Sequence, residues 1–354
     1  MSAGAPTNLI RIGGVEIGAG RPVAIQSMTT TDTRDVASTV SQIKRLQEAG
    51  CEIARIAVPD MEAAAATAKI RRSIDIPLVA DIHFDYRLAL ECIRLGIDKV
   101  RINPGNIGDR SRVKQVADAA RERGVPIRIG VNGGSLDREL LRKYGRVTAE
   151  SLCESAVNQA DMLNMCGFYD VVVSIKASGV FMTVDACLLF DARRTGIPQH
   201  VGLTESGTPT AGLVKSTITL YELLRQGVGD TLRVSLTGDH VEEVIAAKTL
   251  LRTLGRHENG IEIVSCPTCG RCKVDLVSVV RDVERVVSRI KTDKYIKVAI
   301  MGCAVNGPGE ARDADVGVAC GDGRALLFKH GEKMYPIPPP ELAATLLHEI
   351  TALL

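Results

Sequence analysis

The chain has 354 residues, of which 45% are hydrophobic and 24% are charged, an ordinary composition for a globular protein. Lys plus Arg number 44 and Asp plus Glu 42, and Trp is absent, which argues against nucleic-acid binding as the main activity. No apolar run reaches the roughly 18 residues of a membrane-spanning helix and no signal-peptide pattern opens the chain, so we expect a cytoplasmic protein without a membrane partner.

Residues 20 to about 254 alternate short β-branched runs with longer amphipathic stretches. Eight runs predict strands, at 22–28, 52–58, 77–83, 98–103, 127–132, 170–177, 200–205 and 232–236. Between them, apolar residues recur at helical spacing, for example in 34–49, 60–73, 110–123 and 240–254. This α/β pattern matches a (β/α)8 TIM barrel. An open doubly wound sheet is the alternative, but neither its glycine fingerprint nor a Walker sequence is present.

The pattern changes after residue 260. A short strand leads into CPTCGRC (266–272), a charged helix is predicted over 273–291, three further strands follow, and a proline-started helix ends the chain. We therefore predict a TIM-barrel substrate-binding domain at 1–255 and a smaller α+β domain at 256–354. The stretch TLGRHENG (253–260) is the predicted junction.

Polar side chains stand late in the predicted barrel strands, where the active sites of TIM barrels lie. Five of them are cations on different strands: Arg55, Arg101, Arg128, Lys176 and Arg233. Pairing with a helix carboxylate would explain any single one, but five at similar depth favour a shared inward target. Such a set suits a multiply charged anion such as a diphosphate. Asp81 and His83 form either an acid–base pair or a histidine oriented by a carboxylate.

Ten cysteines occur in a chain for which we expect a reducing compartment. Five lie in apolar or helical patterns and are predicted to be inert core thiols: Cys51, Cys92, Cys153, Cys166 and Cys187. The other five crowd into the last quarter of the chain: Cys266, Cys269, Cys272, Cys303 and Cys320.

Thiolate-rich sets hold zinc or iron–sulfur clusters, and the spacing of these cysteines alone leaves both open. A redox-active C-x-x-C pair would leave the other cysteines unexplained. Bacterial ferredoxin spacing fails because Leu276 stands where the fourth cysteine belongs. The stretch GCAVNGPGE adds Glu310 to Cys303, and a carboxylate in a glycine-rich loop favours an iron–sulfur enzyme with one exchangeable ligand.

Seven segments carry a resemblance to one family, in matching order from about residue 8 to residue 330: ADIHFDYR, RINPGNIG, IRIGVNGGSL, VSIKAS, GDTLRVSL, CPTCGR and MGCAVNGPGE. The chain resembles the 4-hydroxy-3-methylbut-2-en-1-yl diphosphate synthases, iron–sulfur enzymes of the methylerythritol phosphate route to isoprenoids, in their compact form. The resemblance implies reductive opening of 2-C-methyl-D-erythritol 2,4-cyclodiphosphate to (E)-4-hydroxy-3-methylbut-2-enyl diphosphate. It also implies a [4Fe-4S] cluster and ferredoxin or flavodoxin as electron donor.

The resemblance also implies roles for individual residues. The cluster ligands fall on Cys266, Cys269, Cys303 and Glu310, and Cys272 departs from the family pattern. The substrate contacts fall on Arg55, His83, Arg101, Asn103, Arg128, Asn132, Lys176, Arg233, Ser235 and Asn306. Glu205, or Asp81 with His83, is expected to supply the proton. In the family, the barrel of one subunit meets the cluster domain of its partner, so we expect a homodimer. The alternative is a zinc-stapled barrel that binds an anionic metabolite without redox chemistry.

Overall fold

The computed structural model of the chain describes residues 6–194, 196–256, 259–288, 290, 292–321 and 323–354. Contacts along the backbone divide the chain into two compact units, Met1–Arg256 and His257–Leu354. The predicted junction at 253–260 includes positions 257 and 258, which lie outside the described residues. Each unit has a hydrophobic core of its own.

The first unit is a barrel that opens with a hairpin, β1 (Ile10–Ile12) and β2 (Val15–Ile17), which the sequence pattern did not predict. Eight parallel strands follow: β3 (Ala24–Met28), β4 (Ile53–Ala57), β5 (Leu78–Asp81), β6 (Lys99–Ile102), β7 (Ile127–Asn132), β8 (Val171–Lys176), β9 (His200–Val201) and β10 (Thr231–Leu232). Their order is β8-β7-β6-β5-β4-β3-β10-β9, and a parallel bridge between Val173 and Gln199 joins the end strands. The predicted TIM barrel is confirmed.

The helices of the first unit alternate with these strands. They are α1 (Val36–Ala49), α2 (Met61–Arg72), α3 (Tyr86–Arg94), α4 (Pro104–Ile107), α5 (Arg110–Arg123), α6 (Arg138–Tyr144), α7 (Ala149–Asn164), α8 (Val180–Arg193), α9 (Pro209–Arg225) and α10 (His240–Thr253). Several of these helices begin at an aspartate whose carboxylate accepts a hydrogen bond from a free backbone N–H group of the first turn. Examples are Asp35, Asp60 and Asp239. None of the described helices is long and apolar enough to cross a membrane.

The last two barrel strands are much shorter than the predicted 200–205 and 232–236. Gly202 explains why β9 ends early: its φ is 155°, and a Cβ there would lie 2.4 Å from the carbonyl oxygen of Arg233. The chain then turns, and Glu205 takes a φ of 52°. Glu205, Arg233 and Ser235 therefore stand in loops beyond the strand ends instead of within strands.

The second unit is a five-stranded mixed sheet with helices. Its strands are β11 (Gly260–Ser265), β12 (Tyr295–Met301), β13 (Val316–Cys320), β14 (Ala325–Lys329) and β15 (Glu332–Ile337), paired in that order. The pairs β11–β12 and β12–β13 are parallel and the other two are antiparallel. Its helices are α11 (Leu276–Val287), α12 (Gly307–Arg312) and α13 (Leu342–Leu353).

Two features of the second unit differ from the sequence prediction. The helix predicted over 273–291 begins at Leu276, because Asp275 caps it by accepting from the Ser278 N–H. The strand β15 was not predicted, since it contains Pro336; it lies at the edge of the sheet, where proline is tolerated.

Candidate anion site and candidate cluster site

The barrel interior carries a set of buried cations on neighbouring strands. Arg55 lies on β4, Lys99 and Arg101 on β6, Arg128 on β7 and Lys176 on β8, and Arg55 is the least buried, with 16% of its side chain exposed. Strand register places Arg101 directly opposite both Asp81 and Arg128. Strand register and burial therefore bring these cations to neighbouring positions in the barrel.

Asp81, at the end of β5, is the charge partner at the centre of this set. Its carboxylate lies 3.3 Å from Arg55 Nη2, 3.1 Å from Arg101 Nη1 and 3.5 Å from His83 Nε2. Burial would raise the pKa of Asp81, but Arg55, the hydrogen bond with His83 and Arg101 outweigh it and hold that pKa well below its usual range. The lowered pKa favours the carboxylate form of Asp81, which contacts cations and His83, and disfavours Asp81 as a proton donor.

Gly130 makes the space in which Arg101 lies. A Cβ at Gly130 would stand 2.2 Å from Arg101 Nε, closer than any side chain tolerates, and Arg101 Nη2 donates to the Gly130 carbonyl at 3.4 Å. With its amide turned to satisfy both of its groups, Asn132 accepts from the same Arg101 Nη2 at 3.3 Å. A strand glycine where a bulky guanidinium approaches closely is a packing requirement.

Arg233 has the helix carboxylate partner that the outward-pairing alternative requires. Its Nε and Nη2 donate to the two oxygens of Glu243 on α10, at 3.0 and 3.2 Å. Glu243, only 1% exposed, also accepts from the backbone N–H of Leu236 and the hydroxyl of Ser27. Arg233 still belongs to the cation set, because it helps to lower the pKa of Arg55; burial is the main cause, and that pKa falls to about 10.

Three of the buried cations are not neutralised by a carboxylate contact among the described residues. Lys99 Nζ, Arg128 Nε and Arg128 Nη1 are buried without a hydrogen-bond partner in that part of the chain. Lys176 Nζ lies 3.3 Å from His200 Nε2, and His200 Nδ1 lies 2.8 Å from the Thr231 hydroxyl. Burial first, and then neighbouring cations, lower the pKa of Lys99, Arg128, Lys176 and His200.

The charge balance of this interior is strongly positive. Six cations (Arg55, Lys99, Arg101, Arg128, Lys176 and Arg233) face two buried carboxylates, Asp81 and Glu243, an excess of four formal positive charges. Because repulsion among buried cations is costly, a compensating anion would stabilise such a set. The arrangement is chemically suited to a multiply charged oxyanion such as a diphosphate.

The other residues expected at the substrate site lie around this set. His83 has 52% of its side chain exposed, and Asn103 is buried, its side chain accepting from the Gly105 N–H at the start of α4. Ser235 is half-buried, and its carbonyl accepts from the Ser206 hydroxyl. Glu205 is exposed in the loop after β9, in a backbone conformation that non-glycine residues rarely adopt.

In the second unit, three parallel strands end at one edge of the sheet, and each end carries a cysteine. Cys266 directly follows β11, Cys303 stands two residues after β12, and Cys320 ends β13. Cys272 returns to the same edge, where a Cβ on Gly302 would lie 2.7 Å from its Sγ. Burial, followed by nearby Cys272, Cys266 and Cys303, raises the pKa of Cys320 to about 11.

Cys303 is the thiol best prepared to ligate a metal. The backbone N–H groups of Val305 and Asn306, with a smaller contribution from Arg271, hold the pKa of the Cys303 thiol below its ordinary value. Thiolate is the form that binds iron and zinc. The donor chemistry of this edge, rich in thiols and followed seven residues after Cys303 by the carboxylate of Glu310, therefore fits a thiolate-bound iron–sulfur cluster.

The four expected ligands are not gathered as a finished site. Cys269 and Glu310 are exposed while Cys266 and Cys303 are half-buried, and among the described residues no group of three or more Cys, His, Asp or Glu side chains is close enough to hold a metal ion. Asn306, expected in the same loop, is exposed at the start of α12. The structure thus brings together the strand ends that carry the thiols, without the final ligand geometry.

Sequence reasoning missed three residues of the barrel interior: Lys99, His200 and Glu243. Lys99 could have been found, because Lys99, Arg101 and Asn103 follow the two-residue period of one strand face. The buried contact of His200 with Lys176 had no sequence signal. Glu243 looks like an ordinary acidic residue of a first helical turn.

Comparison with known proteins places the chain in one family. The family model of the GcpE TIM-barrel domain matches residues 7–248, and that of the GcpE protein C-terminal domain matches residues 262–352. Three curated relatives are each named 4-hydroxy-3-methylbut-2-en-1-yl diphosphate synthase (flavodoxin). That of Caldanaerobacter subterraneus is 53% identical over 97% of this chain and 96% of its own length.

The other two relatives are equally similar over nearly full length. That of Ruminiclostridium cellulolyticum is 52% identical over 98% of this chain and 97% of its own, and that of Geobacter sulfurreducens is 51% identical over 99% and 98%. The chain therefore belongs to the GcpE family, the 4-hydroxy-3-methylbut-2-en-1-yl diphosphate synthases.

Proposed function

We propose that this protein reductively opens 2-C-methyl-D-erythritol 2,4-cyclodiphosphate to (E)-4-hydroxy-3-methylbut-2-enyl diphosphate. The observation that carries the proposal is the excess of buried cations in the barrel of a chain whose relatives bear that activity in their names. The same names favour the reductive synthase over the zinc-stapled barrel that binds an anion without redox chemistry.

The charge change in this reaction explains why the barrel is so cationic. Cleavage of the ring C–O bond leaves a terminal oxygen on the diphosphate, whose negative charge rises by one; the neighbouring hydroxyl leaves as water with one proton, and two electrons are consumed. Arg55, Arg101, Arg128 and Lys176 would hold the diphosphate and stabilise the growing charge. Asp81 would keep Arg55 and Arg101 aligned through its contacts at 3.3 and 3.1 Å.

We propose Glu205 as the proton source for water loss. Its position in the loop just beyond β9, exposed and at a φ of 52°, suits a group that meets a substrate above the strand ends. Asp81 is a poor candidate, because its pKa is depressed by Arg55, His83 and Arg101 despite its burial. Glu205→Gln should lower turnover about 100-fold while pyrophosphate affinity stays near normal.

Cys266, Cys269, Cys303 and Glu310 are proposed to hold a [4Fe-4S] cluster. When bound, that cluster would supply the two electrons one at a time. The backbone donors that favour the Cys303 thiolate support its assignment as a ligand. Glu310 would be the most readily exchanged ligand, since iron in such clusters is otherwise bound by thiolates.

Flavodoxin is the proposed electron donor, with ferredoxin as the alternative, and a homodimer with a shared site is the proposed assembly. Co-expression of an Arg128→Met chain with a Cys269→Ser chain tests the assembly. If the site is shared between subunits, mixed dimers contain one intact site and about a quarter of normal activity returns. If each subunit completes its own site, no activity returns.

The decisive experiment for the activity is anaerobic purification of the full chain, followed by iron and sulfide determination and incubation with the cyclic diphosphate and reduced flavodoxin. We expect about four irons per chain and formation of the linear hydroxylated diphosphate, followed by phosphorus NMR. A preparation that carries only zinc after anaerobic reconstitution, or one that is loaded with iron and inert, would contradict the proposal.

A further inference from the structure

Lys99 is a buried cation without a counter-charge. Its side chain is fully buried, at 0% exposure, and its Nζ has no hydrogen-bond partner within the described residues. Removal of an unpaired ammonium group from water is among the costliest events in folding, so such a group either loses its proton or meets an anion.

The strand geometry places Lys99 beneath the anion site. Lys99 lies two residues before Arg101 on β6, so both side chains leave the same face of the strand. In register it opposes Val79, a member of the apolar cluster that includes Ile12 and Ile17 of the N-terminal hairpin. Lys99 therefore stands at the level of that apolar cluster, one step along the same strand face from Arg101, a proposed diphosphate contact.

The charged groups near Lys99 are mostly cations. Burial is the main cause of the lowered pKa of Lys99, and the charges of Arg128 on β7 and Arg55 on β4 lower it further. The charge of Lys99 in turn helps burial to lower the pKa of His200 on β9, which contacts Lys176. The carboxylate on the neighbouring strand β5, Asp81, contacts Arg55 and Arg101 instead.

We propose that Lys99 is a positioning residue of the anion site that takes up a proton when a diphosphate binds. The inference deepens the proposed function and rests on its anion site. A bound anion stabilises the ammonium form, so the pKa of Lys99 rises on binding. Protons are therefore taken up at any pH between the value of that pKa without the anion and its value with it.

The test is calorimetric titration of the full, cluster-loaded chain with inorganic pyrophosphate, at one near-neutral pH, in two buffers of different ionisation enthalpy. The difference in apparent heat gives the number of protons taken up. In Lys99→Met, the number of protons taken up should fall by up to one, and pyrophosphate should bind about 10- to 100-fold more weakly. Lys99→Arg, which keeps its charge at every pH, should retain affinity but lose the same uptake. Lys114→Met, at an exposed lysine of α5, is the matched control and should change neither.

Because pyrophosphate itself is partly protonated near neutral pH and can release a proton on binding, the difference in net proton uptake between the wild type and the variants decides. A folded Lys99→Met whose net uptake equals that of the wild type would overturn the inference. If Lys99→Met does not fold, judged by circular dichroism, Lys99→Arg and the wild type still decide. The two proposals also fail separately. Lys99-dependent uptake without turnover of the cyclic diphosphate refutes the activity alone, and turnover without such uptake refutes the role of Lys99 alone.

Discussion

In the barrel, Asp81 lies 3.1 Å from Arg101 and 3.3 Å from Arg55, and Glu243 holds Arg233 through both of its oxygens. In the second unit, by contrast, Cys269 and Glu310 are exposed, and no described side chains are gathered as metal ligands. The anion site is thus arranged by strand register and buried ion pairs. The proposed cluster site has Cys266 and Cys303 at the ends of neighbouring strands, but its ligands are not arranged around one point.

This difference in side-chain arrangement indicates how strongly each site depends on its ligand. Buried cations held by carboxylates keep their places whether or not an anion is bound, because the strands fix them. Ligands on exposed loops are usually ordered by the metal itself, and the free energy of metal binding then becomes part of folding. We therefore expect loss of the cluster to affect the second unit far more than the barrel.

The largest expected effect is at the proposed cluster ligands. Cys269→Ser should abolish bound iron and lower turnover by at least about 1,000-fold, because a structural thiolate ligand is lost. Cys272→Ser is the matched control three residues away and should keep iron content and turnover near normal. Iron analysis and absorbance of anaerobic preparations provide the measurement. Loss of the cluster in Cys272→Ser would show that the ligand assignment is wrong.

A second prediction tests the arranged anion site through a glycine. Gly130→Ala brings a Cβ to 2.2 Å from Arg101 Nε, so the guanidinium must move. Pyrophosphate affinity should fall about 10- to 100-fold while iron content is unchanged, since charge-assisted hydrogen bonds are lost.

The control for this substitution is Gly134→Ala on the loop after β7, where a Cβ would meet no atom within 4 Å. Its pyrophosphate affinity should match that of the wild type. Equal affinities for both variants would mean that the position of Arg101 does not matter for anion binding.

A third prediction concerns the stability of the barrel. Glu243→Gln removes the charge that pairs with Arg233 and should lower the free energy of unfolding by about 3 kcal/mol, the usual result of breaking a buried ion pair. Glu242→Gln, at the exposed neighbouring position, should change it by less than about 0.5 kcal/mol. Denaturant unfolding of both variants checks this. Equal small losses would indicate that Arg233 does not depend on Glu243.

The smallest expected effect is a pH dependence in the cluster-free chain. The N–H groups of Val305 and Asn306 lower the pKa of Cys303, so its thiolate forms at lower pH than in the unfolded chain. Burial raises the pKa of Cys51 to about 12, so that thiol stays protonated. Iodoacetamide should therefore modify Cys303 with a midpoint below that of the denatured chain and leave Cys51 untouched, as read by peptide mass spectrometry. A Cys303 midpoint equal to that of the denatured chain would contradict this.

The alternation of short β-branched runs and amphipathic stretches predicted the barrel. The cations late in the strand runs predicted a charged interior, because arginines within strands, such as Arg55, Arg101 and Arg128, are costly to bury without a charged partner. The sequence pattern failed where tertiary contacts decide. Gly202 ends β9 early through its approach to the Arg233 carbonyl, and Glu243 reaches Arg233 from a helix ten residues on. The burial of Lys99 and His200 likewise depends on strands far apart in the chain.

The most direct test of the difference between the two sites is pyrophosphate binding by the chain before and after removal of its cluster. Calorimetry should give dissociation constants within about threefold of each other, since the barrel arranges its cations without the cluster. Loss of pyrophosphate binding on removal of the cluster, in a chain whose barrel remains folded, would contradict that conclusion.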